Sequence, residues 1–291
     1  MDESSGNGRV DLRWLTKDKP CEDGVAPADY DAIDLAVDGG HIYGQVMWPD
    51  GSFRRARPGV ILLHGFPGTG RNDDLAQALR RIGCVVIVPH HRGAWGSRGT
   101  YTFTHCVEDA VALANEARCG ETGRRHNIDP EAVFLAGHSV GGWTSLNAAR
   151  RLAWLRGLIL IAPYDPTYFL REGEPRPLKE LLKSGSVLNS DGPEALFENV
   201  RSVRDWSFEN AFDAVKDMDV CCAAGTADTV APFEPMMVRL WARLQNCRSG
   251  ALRRFGSLSR RARPLRLAGG AGGICGPLHR RLAGAVKICG S

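Results

Sequence analysis

Five short apolar runs punctuate the chain, and helical periodicity fills most of the intervals between them. The runs are Gly59-Val60-Ile61-Leu62-Leu63, Cys84-Val85-Val86-Ile87-Val88, Ala132-Val133-Phe134-Leu135, Leu158-Ile159-Leu160-Ile161 and Val220-Cys221-Cys222-Ala223-Ala224. After the first, Asn72 is placed to cap a helix that carries Leu75, Leu79 and Ile82 on one face. A second helix passes through Val107, Val111 and Ala114, and a third runs from Val140 to about Leu152. A fourth starts near Phe233, with Met237, Leu240, Trp241 and Leu244 in its apolar stripe. Continuous β-branched runs alternating with helices predict an α/β fold, a mostly parallel sheet covered on both faces. Upstream, Ala32 to Val37, Gly39-Gly40 and His41 to Trp48 read as a β-hairpin, a usual antiparallel edge. Residues 1–28 have no periodicity and are expected to be loosely attached. We find no internal repeats.

About 50 residues separate Pro163 from Asp217, far more than one crossover helix requires. They carry Tyr164, Tyr168, Phe169, Leu181, Leu182, Phe197, Trp206, Phe208 and Phe212. The expectation is a small, mostly helical lid, residues 163–217, inserted after the fourth run. The other reading is a long crossover whose aromatics only pack on the sheet. The resulting plan is an N-terminal segment 1–28, a main domain 29–246 and a basic tail 247–291.

Composition narrows the class. A 291-residue chain with 43% hydrophobic and 24% charged residues can bury a sizeable core and is ordinary for a globular protein. No stretch approaches the roughly 20 apolar residues of a membrane span. The start, Met1-Asp2-Glu3-Ser4-Ser5, lacks a basic and apolar leader, so a cytoplasmic protein without a membrane partner is expected. The cysteines, 9 in number with no C-x-x-C pair, point to free thiols in a reducing compartment rather than disulfides or a zinc site. Charge is uneven: Glu234 is the last acidic residue, while 12 of the 37 Lys and Arg follow it. A basic tail invites nucleic acid, yet Phe255 is its one aromatic from residue 246 on and no binding module is recognisable, so no nucleic-acid partner is expected.

The chemistry centres on Gly137-His138-Ser139-Val140-Gly141, directly between the third run and its helix. A G-x-S-x-G match is weak alone; a strand before it and a helix after it give it weight. The glycines allow a sharp turn that projects the hydroxyl, and the helix N-terminus beneath favours developing negative charge. Ser139 is therefore the candidate nucleophile, against the plainer reading of a small residue in a tight turn. An oxyanion hole needs two converging backbone N–H groups. Val140 supplies one, and Phe66, in His64-Gly65-Phe66-Pro67-Gly68 after the first parallel strand, supplies the other. His64 is read as a hydrogen-bonding loop residue without a role in proton transfer, and His138 as a local packing residue. The acid is placed at Asp228, in Gly225-Thr226-Ala227-Asp228-Thr229-Val230-Ala231-Pro232 after the fifth run, where catalytic groups collect at the carboxyl ends of parallel strands. The plainer reading of Asp228 is a helix cap.

These three motifs, in this order, resemble the α/β-hydrolase family, most of all its esterase and serine-peptidase-like members (acylaminoacyl-peptidase, cinnamoyl-esterase and serine-aminopeptidase relatives). His91-Arg92-Gly93-Ala94-Trp95-Gly96-Ser97-Arg98-Gly99 is similar to the R-G-x-x-G-S-x-G loop of that group. The resemblance covers roughly residues 30 to 245. It implies an α/β-hydrolase fold and a serine hydrolase acting on small-molecule esters, amides or peptides through an acyl-enzyme, with no metal or organic cofactor.

It also implies the order Ser, Asp, His, with the histidine some 25 to 40 residues after the acid. The sequence departs here: His279 is the one histidine beyond Asp228, in Gly276-Pro277-Leu278-His279-Arg280-Arg281. From about Asn246 the chain is rich in Arg, Gly, Ala and Leu with no acidic residue, as a G+C-rich gene read out of frame would be. The expectation is that the family's last strand, histidine and helix are replaced in this chain, leaving His279 out of contact with Ser139 and Asp228. The alternatives are a genuine basic tail or a divergent end in which His279 still serves as base. A second functional class stays open beside the hydrolase, a catalytically impaired member of the fold that only binds ligands.

Overall fold

The computed structural model describes residues 10–225 and 228–245. Its sheet has seven strands: β1 (Asp29–Val37), β2 (Gly40–Trp48), β3 (Arg57–Leu63), β4 (Val85–Pro89), β5 (Ile128–His138), β6 (Gly157–Ile161) and β7 (Asp219–Ala223). They lie in the order β1-β2-β4-β3-β5-β6-β7. The β1–β2 hairpin occupies one edge and joins the sheet by antiparallel pairing of β2 with β4, not with β3. All other pairs are parallel. This is the α/β-hydrolase fold, and each of the five apolar runs is one of its parallel strands.

Both faces of the sheet are covered, which explains why the runs are continuous rather than alternating. Successive residues point to opposite faces. Ile61, Leu63, Val85, Ile87, Val133, Leu135, Leu158 and Leu160 pack with helices α2 (Phe103–Cys119) and α4 (Val140–Ala149). Val60, Leu62, Val86, Val88, Phe134, Ile159 and Ile161 face the other way, with Leu75 and Leu79 of α1 (Asp73–Arg81). Val10 and Leu15, in a stretch without periodicity, are buried in this second layer, and the Asp11 N–H donates to the Ile82 carbonyl (2.7 Å). A short helix, α3 (Glu121–Arg125), leads into β5.

Helix α1 starts where expected, but Asn72 does not cap it. Its backbone is left-handed (φ 57°, ψ 42°) and its side chain makes no cap bond. A capping side chain needs an extended backbone to reach the second or third helical N–H. Asp73 and Asp74 in the first turn meet the helix dipole instead.

Between β6 and β7 the chain forms α5 (Tyr168–Arg171), α6 (Arg176–Lys183), a 3₁₀ turn (Ser184–Val187), α7 (Pro193–Ser202) and α8 (Phe208–Val215). Leu178, Leu182, Leu196, Val200 and Phe208 tie this insertion to the α2–α4 side of the core. Beyond β7, a π turn (Phe233–Met237) leads into α9 (Val238–Gln245). Among the described residues no helix is long and apolar enough to cross a membrane. Cys84, Cys106, Cys221 and Cys222 are buried free thiols, and Cys21 and Cys119 are exposed ones. Burial pushes the Cys222 thiol up to about 12.

Candidate active site

Sheet order places the site. β3 and β5 are hydrogen-bonded neighbours although β4 lies between them in sequence. The chain therefore changes direction across the sheet at this pair, and the loops leaving their carboxyl ends part to form a crevice. Those loops are His64–Gly68 and the turn at Ser139.

Ser139 sits between β5 and α4 with φ 55° and ψ −125°. A non-glycine residue at positive φ outside the ordinary left-handed well costs on the order of 1–3 kcal/mol and survives only when its surroundings impose it. Here three backbone bonds do so. The Ser139 N–H donates to Ile161 O (3.0 Å), and its carbonyl accepts from Gly142 N (2.9 Å) and Tyr164 N (3.0 Å). The end of β6, the first turn of α4 and the start of the insertion all hold the same residue. Gly65 lies directly on the side chain: a Cβ there would stand 2.9 Å from Ser139 Cβ and 3.3 Å from Oγ. The next peptide carries the Phe66 N–H, and the Val140 N–H opens α4 beneath the serine.

His64 is buried, with Nδ1 2.8 Å from Gly65 O and Nε2 accepting the His91 N–H at 3.2 Å. Burial, helped by the neighbouring His91, pushes its pKa down to about 3, so the ring is neutral at ordinary pH. His91 and Arg92 are anchored by Asp109, a fully buried carboxylate that accepts from Arg92 N (2.8 Å) and Arg92 Nε (2.5 Å). Burial tends to raise the Asp109 pKa, but His91 and Arg92 outweigh it and hold the carboxyl below its usual range.

Asp228 stands on the same edge of the sheet, five residues after the end of β7. The ends of β5, β6 and β7 are stitched side by side, Ser139 N to Ile161 O and Ala162 N to Ala223 O (2.7 Å). One carboxylate oxygen of Asp228 accepts from Val230 N (2.8 Å) and Ala231 N (2.9 Å). Its charge also reaches His138, whose pKa is lowered chiefly by burial while Asp228 opposes the fall. His279 and the tail from residue 246 lie outside the described residues. Among the described residues no histidine side chain is hydrogen-bonded to Ser139: His41 pairs with Asp34, His64 with Gly65 O, and His105 with Thr100 O.

The insertion is fastened around this site by polar residues that no sequence motif marked. Asn199 accepts from Phe103 N (2.9 Å) at the start of α2, and Asn189 bonds the Gly93–Tyr101 loop through its backbone and side chain. Trp206 O receives Trp143 Nε1 and Asn147 Nδ2 from α4. Gly185 lies against the Phe66 ring, where a Cβ would be 2.6 Å from Phe66 Cζ. Trp95, 40% exposed, donates its Nε1–H to Pro67 O (3.2 Å) and so joins two loops of the rim. A cavity of about 320 Å³ elsewhere is walled by Arg80, Arg81, Gln77 and Tyr30 and shares no lining residue with the crevice. Among the described residues no group of three or more His, Cys, Asp or Glu is placed to hold a metal ion.

The family model for the alpha/beta hydrolase family matches residues 60–272, and the chain belongs to that family. Similar curated proteins are lipases. Lysophosphatidylserine lipase ABHD12 of Danio rerio is 29% identical over 108 residues, covering 36% of this chain and 26% of the relative. Monoglyceride lipase of Rattus norvegicus is 31% identical over 133 residues, covering 44% of this chain and 41% of the relative. The matched part thus spans less than half the length of either. Among solved structures, brefeldin A esterase, described as a bacterial homologue of human hormone sensitive lipase, aligns with a TM-score of 0.53 at 18% identity, over 82% of this chain and 70% of that one. Carboxyl esterase 2 from Tuber melanosporum gives 0.54 at 16%, over 77% and 75%. A puromycin hydrolase gives 0.57 at 18%, over 76% and 34%. At these identities the likeness is one of fold.

Proposed function

We propose that the protein is a serine hydrolase that cleaves carboxylic esters or small amides and peptides through an acyl-enzyme, without metal or organic cofactor. The observation that carries this reading is Ser139 itself: a serine held at φ 55° on the strand-to-helix turn, at the switch point of the sheet, with the Gly65 loop pressed against its hydroxyl. Nothing in packing alone requires a polar side chain at so costly a backbone position.

In this reading Ser139 Oγ attacks the substrate carbonyl and the Phe66 and Val140 amides hold the oxyanion that forms. The N-terminus of α4 adds its positive end to the same spot. A histidine takes the serine proton and returns it to the leaving group, and Asp228 orients that histidine through the carboxylate oxygen not used by Val230 and Ala231. Beyond residue 246 the one histidine is His279, in a tail read as replacing the family's last strand and histidine, so turnover by this chain is expected to be slow. The aromatic residues of the insertion favour an apolar or aromatic substrate moiety, and the lipase and esterase relatives favour an ester.

The test is reaction with a fluorophosphonate probe followed by peptide mass spectrometry. Labelling at Ser139, lost in Ser139→Ala with far-UV circular dichroism unchanged, is the expected result. A folded protein that stays unlabelled at Ser139 would support the competing reading, a hydrolase fold that only binds ligands.

A further inference from the structure

We propose that the hollow at the carboxyl end of α4 is a second ligand site, which takes a small aromatic carboxylate between Arg150, Arg151 and Trp206. It is independent of the serine hydrolase reading. The hollow has a volume of about 250 Å³. Its walls are Val107 of α2, Asn147, Arg150 and Arg151 at the end of α4, and Trp206 from the loop before α8. Ser139 precedes the first turn of α4 and Arg150 follows its last. An α-helix rises about 1.5 Å per residue, so the two stand roughly 16 Å apart along the axis. The hollow is therefore not an arm of the crevice.

Charge defines one end of the ligand. Arg150 and Arg151 are both exposed, and no acidic side chain lines the hollow. Among the described residues neither arginine is ion-paired, and residues 246–291 hold no Asp or Glu that could serve them. Arg150 makes one side-chain bond, a long one from Nη1 to Asn147 Oδ1 (3.5 Å). A guanidinium has five N–H donors in a flat fork, and a carboxylate is the group that matches it with two parallel bonds. Two such forks side by side, with most donors uncommitted, suit one carboxylate.

The remaining walls define the other end. Val107 is buried, and the half-buried Trp206 indole stacks with Trp143 (centroids 6.1 Å apart), with Arg151 over its ring at 5.9 Å. A flat apolar ring suits these walls, and an apolar cavity of about 150 Å³ already holds benzene. The walls are also fixed in place. Asn147 is 2% exposed and spends its amide hydrogens on Trp143 O (3.0 Å) and Trp206 O (3.1 Å). Its oxygen is left to face Arg150. One buried side chain thus ties the loop that carries the indole to α4 and steers the first guanidinium. Exposed arginines alone are ordinary surface; here they stand over an aromatic wall held by a buried amide.

Benzoate is the probe. Titrated into the full chain in a calorimeter, it is expected to bind at one site with a Kd on the order of 1 mM, as suits a ligand of so few atoms. Benzamide keeps the ring without the charge, and inorganic phosphate keeps the charge without the ring. Each is expected to bind at least tenfold more weakly. Arg150→Gln combined with Arg151→Gln should weaken benzoate at least tenfold with far-UV circular dichroism unchanged, since both side chains are exposed. In protein labelled with ¹⁵N-tryptophan, the Trp206 indole signal (identified by its loss in Trp206→Phe) should move as benzoate is added. The Trp95 signal, from the rim of the crevice, should hold still. No binding at benzoate concentrations well above that Kd overturns the proposal, as does equal binding of either control or of benzoate by the double variant. A shift at Trp95 without one at Trp206 also overturns it. None of these measurements involves turnover, so an unreactive Ser139 would sink the hydrolase reading and leave this site to be decided on its own.

Discussion

Replacing Asp165 should loosen the insertion at its base. The carboxylate is 1% exposed and accepts from Thr167 N (2.9 Å), Thr167 Oγ1 (2.7 Å), Arg171 (2.9 Å) and Phe208 N (3.2 Å). Thr167 belongs to the entry of the insertion and Phe208 opens α8 near its exit, so one side chain ties both ends together. In Asp165→Ala the Phe208 and Thr167 amides lose their acceptor inside the protein, at about 1–3 kcal/mol for each donor left unpaired. Arg171 keeps Glu209 at 3.3 Å and is partly exposed, so its loss is smaller. Against this, burial raises the Asp165 pKa, so deletion also removes a desolvated carboxylate. We expect a net loss of about 3 kcal/mol, at the lower end of the range for breaking a buried pair. Asp165→Asn, which keeps one acceptor oxygen, should lose about half as much. Urea unfolding followed by circular dichroism measures the loss, and limited proteolysis locates it, with early cuts expected between residues 163 and 217. A change under about 0.5 kcal/mol in Asp165→Ala, or cuts no faster in the insertion than in wild type, would refute the reasoning.

Acid should destabilise the fold through His64. Its folded pKa of about 3 lies below the ordinary 6.5, so the unfolded chain binds more protons between those values, and stability present above about pH 6.5 is lost as pH falls toward 3. The slope approaches about 1.4 kcal/mol per pH unit in that window; urea midpoints at pH 7, 6 and 5 should fall less steeply in His64→Asn, and equal slopes would remove the claim. Asp228→Asn retains an oxygen for Val230 and Ala231 but loses the charge, so in a version that carries the family's histidine kcat should drop at least about 100-fold with an unchanged melting temperature; turnover within threefold of that version would make Asp228 a turn former only. For the tail, this chain should hydrolyse p-nitrophenyl butyrate slowly, and a version carrying the other reading frame after about residue 246 far faster. Rapid turnover by the present chain, abolished in His279→Ala, would instead make His279 its base.

The parallel strands were legible because their burial on both faces leaves unbroken β-branched runs, and the nucleophile turn because glycines and a following helix surround one serine. Other features had no such trace. Asn72 has the residue type of a cap, but type says nothing about the left-handed backbone that disables it. Docking of residues 10–15 depends on two apolar side chains, Val10 and Leu15, too few to make a period. The insertion reads as helical from its aromatics, whereas its seating depends on Asp165, Asn189 and Asn199, whose partners are mostly backbone groups or lie far along the chain. Backbone acceptors and donors are the same at every residue, so the sequence carries no mark of which one a polar side chain will find. The pairing of β2 with β4 is hidden for a similar reason, since either neighbour would bury the same apolar face.

Phe66 shows how these hidden contacts bear on the chemistry. Its amide is proposed to hold the oxyanion, while its ring stacks with Phe103 (centroids 5.6 Å apart) and meets the insertion at Gly185. The backbone is gripped by His64 through Gly65 O on one side, and Trp95 holds the carbonyl of the residue that follows Phe66, Pro67 O. Close-packed groups do not move singly: a shift of the insertion large enough to admit a bulky acyl chain must carry the Phe66 ring with it or leave a void behind. The ring and the amide belong to one residue, so such a shift tends to rotate its N–H. Specificity and rate are therefore coupled at this site through geometry, and substrates that displace the insertion should be discriminated in kcat as well as in KM.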